Sequence, residues 1–327
     1  MSNIPTINDI RNTERRIRQH IHRTPVLTCN GINRMVGGEI YFKCENFQKV
    51  GAFKFRGAAN AVFSLSDQEA SRGVATHSSG NHAAALALAA RSRGIQAYVV
   101  MPENAPQVKK DAVAGYGAQI TVCPPTLEDR EKSLDQVVER TGAAFIHPYD
   151  DYRIIAGQAT ATMELLETVP NLDVIMTPIG GGGLTSGTAL AVRYLSPNTR
   201  MVAVEPYGAD DAYRSFQTGR LVPSENPRTI ADGLLTSLGE KTYPIVRDYV
   251  DHIVRVTEDG IIAAMRTIWE RMKIVVEPSA AVPLAALLTR CFDMKGRRVG
   301  IILSGGNVDL DRLPWLNEAG LGQPFKP

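Results

Sequence analysis

From Gly73 onward, short apolar runs alternate with stretches of helical spacing, and this alternation restricts the chain to folds in which helices cover parallel sheets. Val74-Ala75-Thr76 predicts a strand, the alanine-rich stretch from about Asn81 to Ser92 a helix, and Gln96 to Val100 the next strand, which together make a βαβ unit. Pro102 and Pro106 then punctuate the chain. A helix is expected through Val108 to Ala114, a strand at Ile120-Thr121-Val122, a helix over Leu127 to Arg140 and a fourth strand at Ala144-Phe145-Ile146. A second series has strands at Val174-Ile175-Met176, Met201 to Val204, Ile253 to Val256 and Val299 to Leu303, with helices such as Thr188 to Tyr194 and Gly260 to Met272 between them. The expected fold class is α/β, with two open, twisted, mostly parallel sheets. Residues 73–150 form a small α/β domain, residues 1–72 with 151–327 a larger one, and a cleft is expected at the carboxyl ends of the strands.

Charge and composition narrow the function. Thirty-six basic residues stand against 34 acidic ones, a net charge of +2, so the basic excess that nucleic-acid phosphates demand is missing. The longest apolar stretch of the N-terminal half, Ala83 to Ala90, is far short of the roughly 18 residues of a membrane span. Charged residues from Asn12 to Arg18 occupy the place of an apolar signal sequence, and a cytoplasmic protein is expected. Ile10, Ile17 and Ile21 form an apolar stripe among Arg11, Arg15, Arg16, Arg18 and Arg23, a solvated helix or a subunit contact. His20 and His22 fall two apart in that expected helix and do not share a face. Cys29, Cys44, Cys123 and Cys291 contain no Cys-x-x-Cys pair and read as buried free thiols.

Four loops at strand ends carry the polar groups. Gly180-Gly181-Gly182-Gly183 links a strand to a helix beginning near Thr185, so successive N–H groups can converge on an anion. It matches neither Gly-x-Gly-x-x-Gly, whose last position would be Thr185 or Ser186, nor the Walker pattern, which has Thr188 where lysine is required. Ser78-Ser79-Gly80-Asn81-His82 can grip a carboxylate or cap a helix. Ser304-Gly305-Gly306-Asn307 is either a turn or part of a site at the same sheet edge. In the fourth loop, Asn46 to Gly57, Lys54 stands between Phe53 and Phe55. Desolvation there favours a neutral amine, the form that condenses with an aldehyde; a snorkelling surface lysine is the alternative.

Taken together, Lys43 to Gly57, Ser78 to His82, Gly180 to Leu184 and Ser304 to Asn307 resemble the fold-type II pyridoxal-phosphate enzymes of tryptophan synthase β-like fold, in particular the serine/threonine dehydratase and serine racemase branch. The resemblance runs from Thr24-Pro25-Val26-Leu27 to Asp309. It implies that the larger domain binds the cofactor and that Lys54 holds it covalently. Phe53 would pack on the pyridine ring, Asn81 meet the ring hydroxyl, Gly180 to Gly183 cradle the phosphate and Ser304 face the ring nitrogen. A hydroxyl in that last position leaves the nitrogen largely unprotonated, which favours elimination and proton exchange over transamination. Ser78, Ser79 and His82 match the loop for the substrate carboxylate. The mechanism implied has Lys54 removing the α-proton of an amino acid while its β-hydroxyl leaves, protonated by the cofactor phosphate, to give a 2-keto acid and ammonia.

Further expectations come from the same resemblance. In Glu205-Pro206-Tyr207-Gly208-Ala209-Asp210-Asp211, the carboxylates of Glu205 and Asp211 with the Ala209 carbonyl match a site for Mg²⁺, Ca²⁺ or Mn²⁺. On spacing alone, Glu205 could instead be the ribose-binding acid of a nicotinamide oxidoreductase, or the loop a solvated acidic turn. Arg130 matches a substrate-binding arginine of the racemases, or makes a helix-surface salt bridge. Ser79 matches the serine that serves the second face in racemisation, whereas Tyr149 replaces a shorter polar residue of the mammalian-type racemases. The chain ends shortly after its last motif, so an isoleucine-responsive regulatory domain is not expected. Serine, threonine and threo-3-hydroxyaspartate all carry the groups the mechanism uses. A homodimer acting on a small amino acid is implied, with racemisation as the alternative activity and a non-catalytic amino-acid or cofactor binder as a remote one.

Overall fold

In the computed structural model, which describes residues 4–105 and 107–316, ten strands form two sheets. They are β1 (Val26–Thr28), β2 (Glu39–Cys44), β3 (Val74–His77), β4 (Ala97–Pro102), β5 (Gln119–Cys123), β6 (Ala144–Phe145), β7 (Val174–Pro178), β8 (Arg200–Pro206), β9 (His252–Val256) and β10 (Arg298–Leu303). The larger sheet has the order β1-β2-β10-β7-β8-β9 and the smaller β5-β4-β3-β6. All pairings are parallel except β1 with β2. The expected α/β class with two mostly parallel sheets is what the chain forms.

Buried parallel strands read as apolar on both faces, and β7 and β10 do so. Every residue of β7 is buried, and of β10 only Arg298 is not. The main core packs β2, β7, β8 and β10 against the helices Glu258–Met272 and Pro278–Leu288. In the smaller sheet, the helix Asn81–Arg93 ends on Gly94 at φ +73°, and Leu127–Thr141 starts on a Thr126 cap and ends on Gly142 at φ +66°. Glycine takes this left-handed C-terminal geometry without a Cβ penalty.

Several expectations are corrected. The helix after the glycine run is Gly183–Leu195, so its last glycine is already helical. The N-terminal helix is Ile7–Ile17, which buries Ile10 and Ile17 but leaves Ile21, His20 and His22 beyond its end. His20 instead stacks on Phe63 with ring centroids 3.8 Å apart. Cys44 and Cys123 are buried free thiols, but Cys29 is half-buried and Cys291 exposed. Pro106 lies outside the described residues.

The order of each sheet decides where a cleft opens. In the smaller sheet, β4 and β5 extend to one side of β3 and β6 to the other, so the loops after β3 and β6 diverge from a switch point. In the larger sheet, the last strand β10 lies between β2 and β7. The segments leaving β2, β10, β7 and β8 therefore share one carboxyl edge.

Candidate active site

Lys54 opens the helix Lys54–Phe63, which follows β2 after two short turns. An isolated antiparallel bridge, Ala52 to Gly305, and a bond from the Phe53 N–H to the Ser304 carbonyl (3.0 Å) bind this segment to the loop after β10. The Lys54 Nζ donates to the Pro148 carbonyl at 2.9 Å and lies 5.2 Å from the centroid of Phe53. Burial pulls this amine down to about 8, while the Glu277 carboxylate acts in the opposite sense. The surface-lysine alternative does not hold.

Two residues on, Arg56 is wholly buried among charges. It donates to Glu45 Oε2 at 2.7 Å and Glu164 Oε1 at 2.8 Å, and Lys43 Nζ reaches Glu164 Oε2 at 2.6 Å. Thr24 adds a 2.6 Å bond to Glu45. Two cations balance two anions, so no charge is left uncompensated. This set joins β2, the helix Tyr152–Thr168 and the lysine helix, and fixes the turn from which Lys54 projects.

The four glycines are enforced by close approach. A Cβ on Gly180 would lie 2.8 Å from Leu234 Cα, one on Gly181 2.5 Å from the Tyr149 ring, and one on Gly183 3.0 Å from Tyr149 Cβ. Gly182 sits at φ +85° as N-cap of Gly183–Leu195, and no side chain caps that terminus. An anion is thus the natural partner of its N–H groups. Ser304 is buried and its Oγ has no hydrogen-bond partner among the described residues, as expected of a hydroxyl shaped to meet an acceptor from outside the chain.

Asn81 crosses from the smaller sheet. Its Nδ2 donates to Glu277 Oε1 and Oε2 at 3.3 and 3.1 Å, and its Oδ1 accepts from Asn307 Nδ2 at 2.9 Å. Glu277 is buried and raised to about 7, chiefly by desolvation, with the Asn81 bond opposing. The Ser78–His82 loop does not cap its helix by a side chain, since Gly80 is the N-cap. His82 is buried, donates from Nε2 to the Ile146 carbonyl at 3.4 Å, and its Nδ1 has no partner. Burial, with Lys54 nearby, holds it well below the usual imidazole range, so it is a neutral group.

After β6, the His147 Nδ1 accepts the N–H groups of Tyr149 (3.3 Å) and Asp150 (2.9 Å), and its ring meets Tyr149 edge-on at 4.6 Å. This turn aims the Pro148 carbonyl at Lys54 and lays Tyr149 on the glycine loop. Burial drives His147 down to about 4 and Tyr149 up to about 12. Arg130 is not brought to this cluster: among the described residues its side chain bonds to the Thr126 carbonyl of its own helix start, at 3.2 Å, and makes no ion pair.

Glu205 is the second-last residue of β8 and Asp211 opens the helix Asp211–Thr218 that follows, both fully buried. Glu205 accepts the N–H groups of Ala212 (3.0 Å) and Tyr213 (2.8 Å), whereas among the described residues neither oxygen of Asp211 has a hydrogen-bond partner. Burial raises both acids, Asp211 to about 6, and the two repel. Among the described residues no group of three His, Cys, Asp or Glu could hold a metal. The donors here are two carboxylates and a carbonyl, hard oxygens that fit a divalent cation.

Glu277 is the residue that sequence reasoning missed. Its only signal is its place directly before Pro278 and a helix that carries no charged residue, Pro278–Leu288.

This fold and site define a class: the chain belongs to the pyridoxal-phosphate-dependent enzyme family, whose model matches residues 17–305. Its relatives narrow the likeness. The chain is 52% identical over 313 residues to serine racemase of Dictyostelium discoideum, covering 94% of this chain and 96% of that one. It is 51% identical over 312 residues to the beta-hydroxyaspartate dehydratase of Paracoccus denitrificans, covering 95% and 99%. The solved structure of maize serine racemase superposes with a TM-score of 0.93 at 47% identity, over 96% of this chain and 97% of that chain.

Proposed function

We propose that this enzyme removes the β-hydroxyl of a small 3-hydroxy amino acid as water and, when water adds back to the unsaturated product, releases a 2-keto acid and ammonia; L-serine, L-threonine and threo-3-hydroxyaspartate are the candidates. The observation that carries the reading is a lysine amine brought near neutrality between an anion-binding glycine loop and an unpartnered buried hydroxyl. Pyridoxal phosphate, when bound, supplies an aldehyde for that amine and a ring that draws electrons from the substrate's α-carbon.

The chain's own groups perform the rest. Lys54 would hold the aldehyde, and its neutral amine would be the base that takes the α-proton. Phe53 would pack on the ring and Asn81 would meet its hydroxyl. Gly180, Gly181, Gly182 and Gly183 would hold the phosphate, and the Ser304 hydroxyl would be the partner of the ring nitrogen. Ser78, Ser79 and His82, at the start of a helix with no side-chain cap, receive the substrate carboxylate. Arg130 is borne by the same small sheet as that loop, near enough to His77 to disfavour its charged form, and is proposed as a further carboxylate ligand.

Glu205, Asp211 and the Ala209 carbonyl are proposed to hold Mg²⁺, Ca²⁺ or Mn²⁺, supported by the buried, mutually repelling carboxylates. The division into 73–150 and the remainder is proposed on sheet membership. A homodimer acting in the cytoplasm belongs to the same proposal.

Keto-acid release from the three amino acids tests the reading. One or more must be turned over by the wild type, and none by Lys54→Ala. Racemisation is a second reading, favoured by Ser79, which makes no capping bond; chiral analysis of serine after incubation decides it.

A further inference from the structure

Asn81 can present either end of its amide to a ligand, and which end it presents is set by its neighbours. At one side, Asn307 Nδ2 lies 2.7 Å from the Val50 carbonyl, a group that only accepts. Asn307 must therefore turn its nitrogen inward, and that nitrogen's second hydrogen goes to Asn81 Oδ1 at 2.9 Å. At the other side stands the Glu277 carboxylate, which takes a hydrogen from Asn81 Nδ2. Both ends of the chain of bonds thus dictate the same polarity.

The backbone is bent to make this possible. Val50 has φ +56° and ψ +16°, a region that a β-branched residue adopts only under strain, and Gly51 follows at φ +69°. A Cβ on Gly51 would lie 2.6 Å from Asn307 Oδ1. The turn delivers the Val50 carbonyl to Asn307.

We infer that Glu277 and Asn307 are positioning residues that lock the Asn81 amide so that the Nδ2–H not directed at Glu277 faces an anionic oxygen on the cofactor ring. This rests on the assignment of Asn81 to the cofactor in the proposed function. Neither residue touches the reacting atoms; each acts through Asn81.

A double-mutant cycle read by cofactor binding tests it. Apo-protein is titrated with pyridoxal phosphate, following affinity and the visible absorption band, with turnover playing no part. Glu277→Ala is expected to weaken uptake about tenfold and shift the band. Glu277→Gln, which keeps an acceptor oxygen, should stay within about threefold of wild type. In an Asn81→Ala background, Glu277→Ala should change neither quantity further. Asn307→Ala, at an exposed rim position, repeats the cycle should Glu277→Ala not fold. Additive losses in the Asn81→Ala background, or an unchanged affinity and band in the single variants, overturn the inference. A wild type that takes up no pyridoxal phosphate overturns both it and the functional reading, whereas bound cofactor without keto-acid release overturns only the latter.

Discussion

Lys54 has a folded-state titration near 8 against an ordinary 10.5, so the folded chain releases a proton that the unfolded chain keeps across that interval. Its burial cost is therefore fully present below about pH 8 and fades as the pH rises to about 10.5. Lys54→Met removes that cost. The apo variant should be more stable than apo wild type at pH 7, with the gap closing toward pH 10.5, as denaturant unfolding at several pH values would measure. An equal gap at all pH values would mean that the amine is ordinary in the folded state. The same substitution should abolish borohydride fixation of the cofactor. Lys54 and the glycine run are legible in the sequence through desolvation and backbone approach, although a surface lysine stays open there, whereas Ser304 is marked as a site residue by likeness and could otherwise belong to a turn. Glu277 is not, because a single acid has no spacing, and its meaning comes from Asn81 and Gly305 far away in sequence. Arg130 is marked only by likeness, and its side chain remains with its own helix start.

Strands and helices with a period are legible to within a few residues. The helix Pro278–Leu288 is buried on all sides, so no periodicity marks it, and β1 and β2 are recognisable only through the partner strands they meet. Loops behave differently: their sequences show what they offer, and packing shows what they tolerate. Gly181→Ala drives a methyl group into the Tyr149 ring, and a loss of about 1–3 kcal/mol in stability is expected, with weaker cofactor uptake. Gly80 has open space at the same position, so Gly80→Ala should stay well inside that loss; thermal unfolding of the two variants side by side checks the contrast. In the serine loop, Ser79→Ala removes no capping bond and should leave the helix Asn81–Arg93 intact by circular dichroism. If wild type forms D-serine from L-serine, this variant should lose the D-product while retaining elimination. Undiminished D-serine would place the second proton donor elsewhere.

At the scale of the whole molecule, two buried acids that make no ion pair among the described residues are a destabilising feature that a cation would relieve. Added Mg²⁺ should raise the stability of chelated protein by about 2.7 kcal/mol at roughly a hundredfold excess over its dissociation constant. Glu205→Ala should lose that response, and identical unfolding curves with and without cation would assign the loop to structure alone. The sheet order has a consequence of another kind. Because β10 lies between β2 and β7, the ribosome must make the last strand before the middle of the larger sheet can close. At ~5–20 residues per second, β7 waits on the order of ten seconds for its neighbour. Through that interval the smaller sheet already has all four of its strands, while Ser304 and Asn307 have not yet been synthesised. A nascent chain stalled before β10 would therefore carry all four strands of the smaller sheet beside two strand pairs, β1-β2 and β7-β8, whose β2 and β7 edges stand open to chaperones.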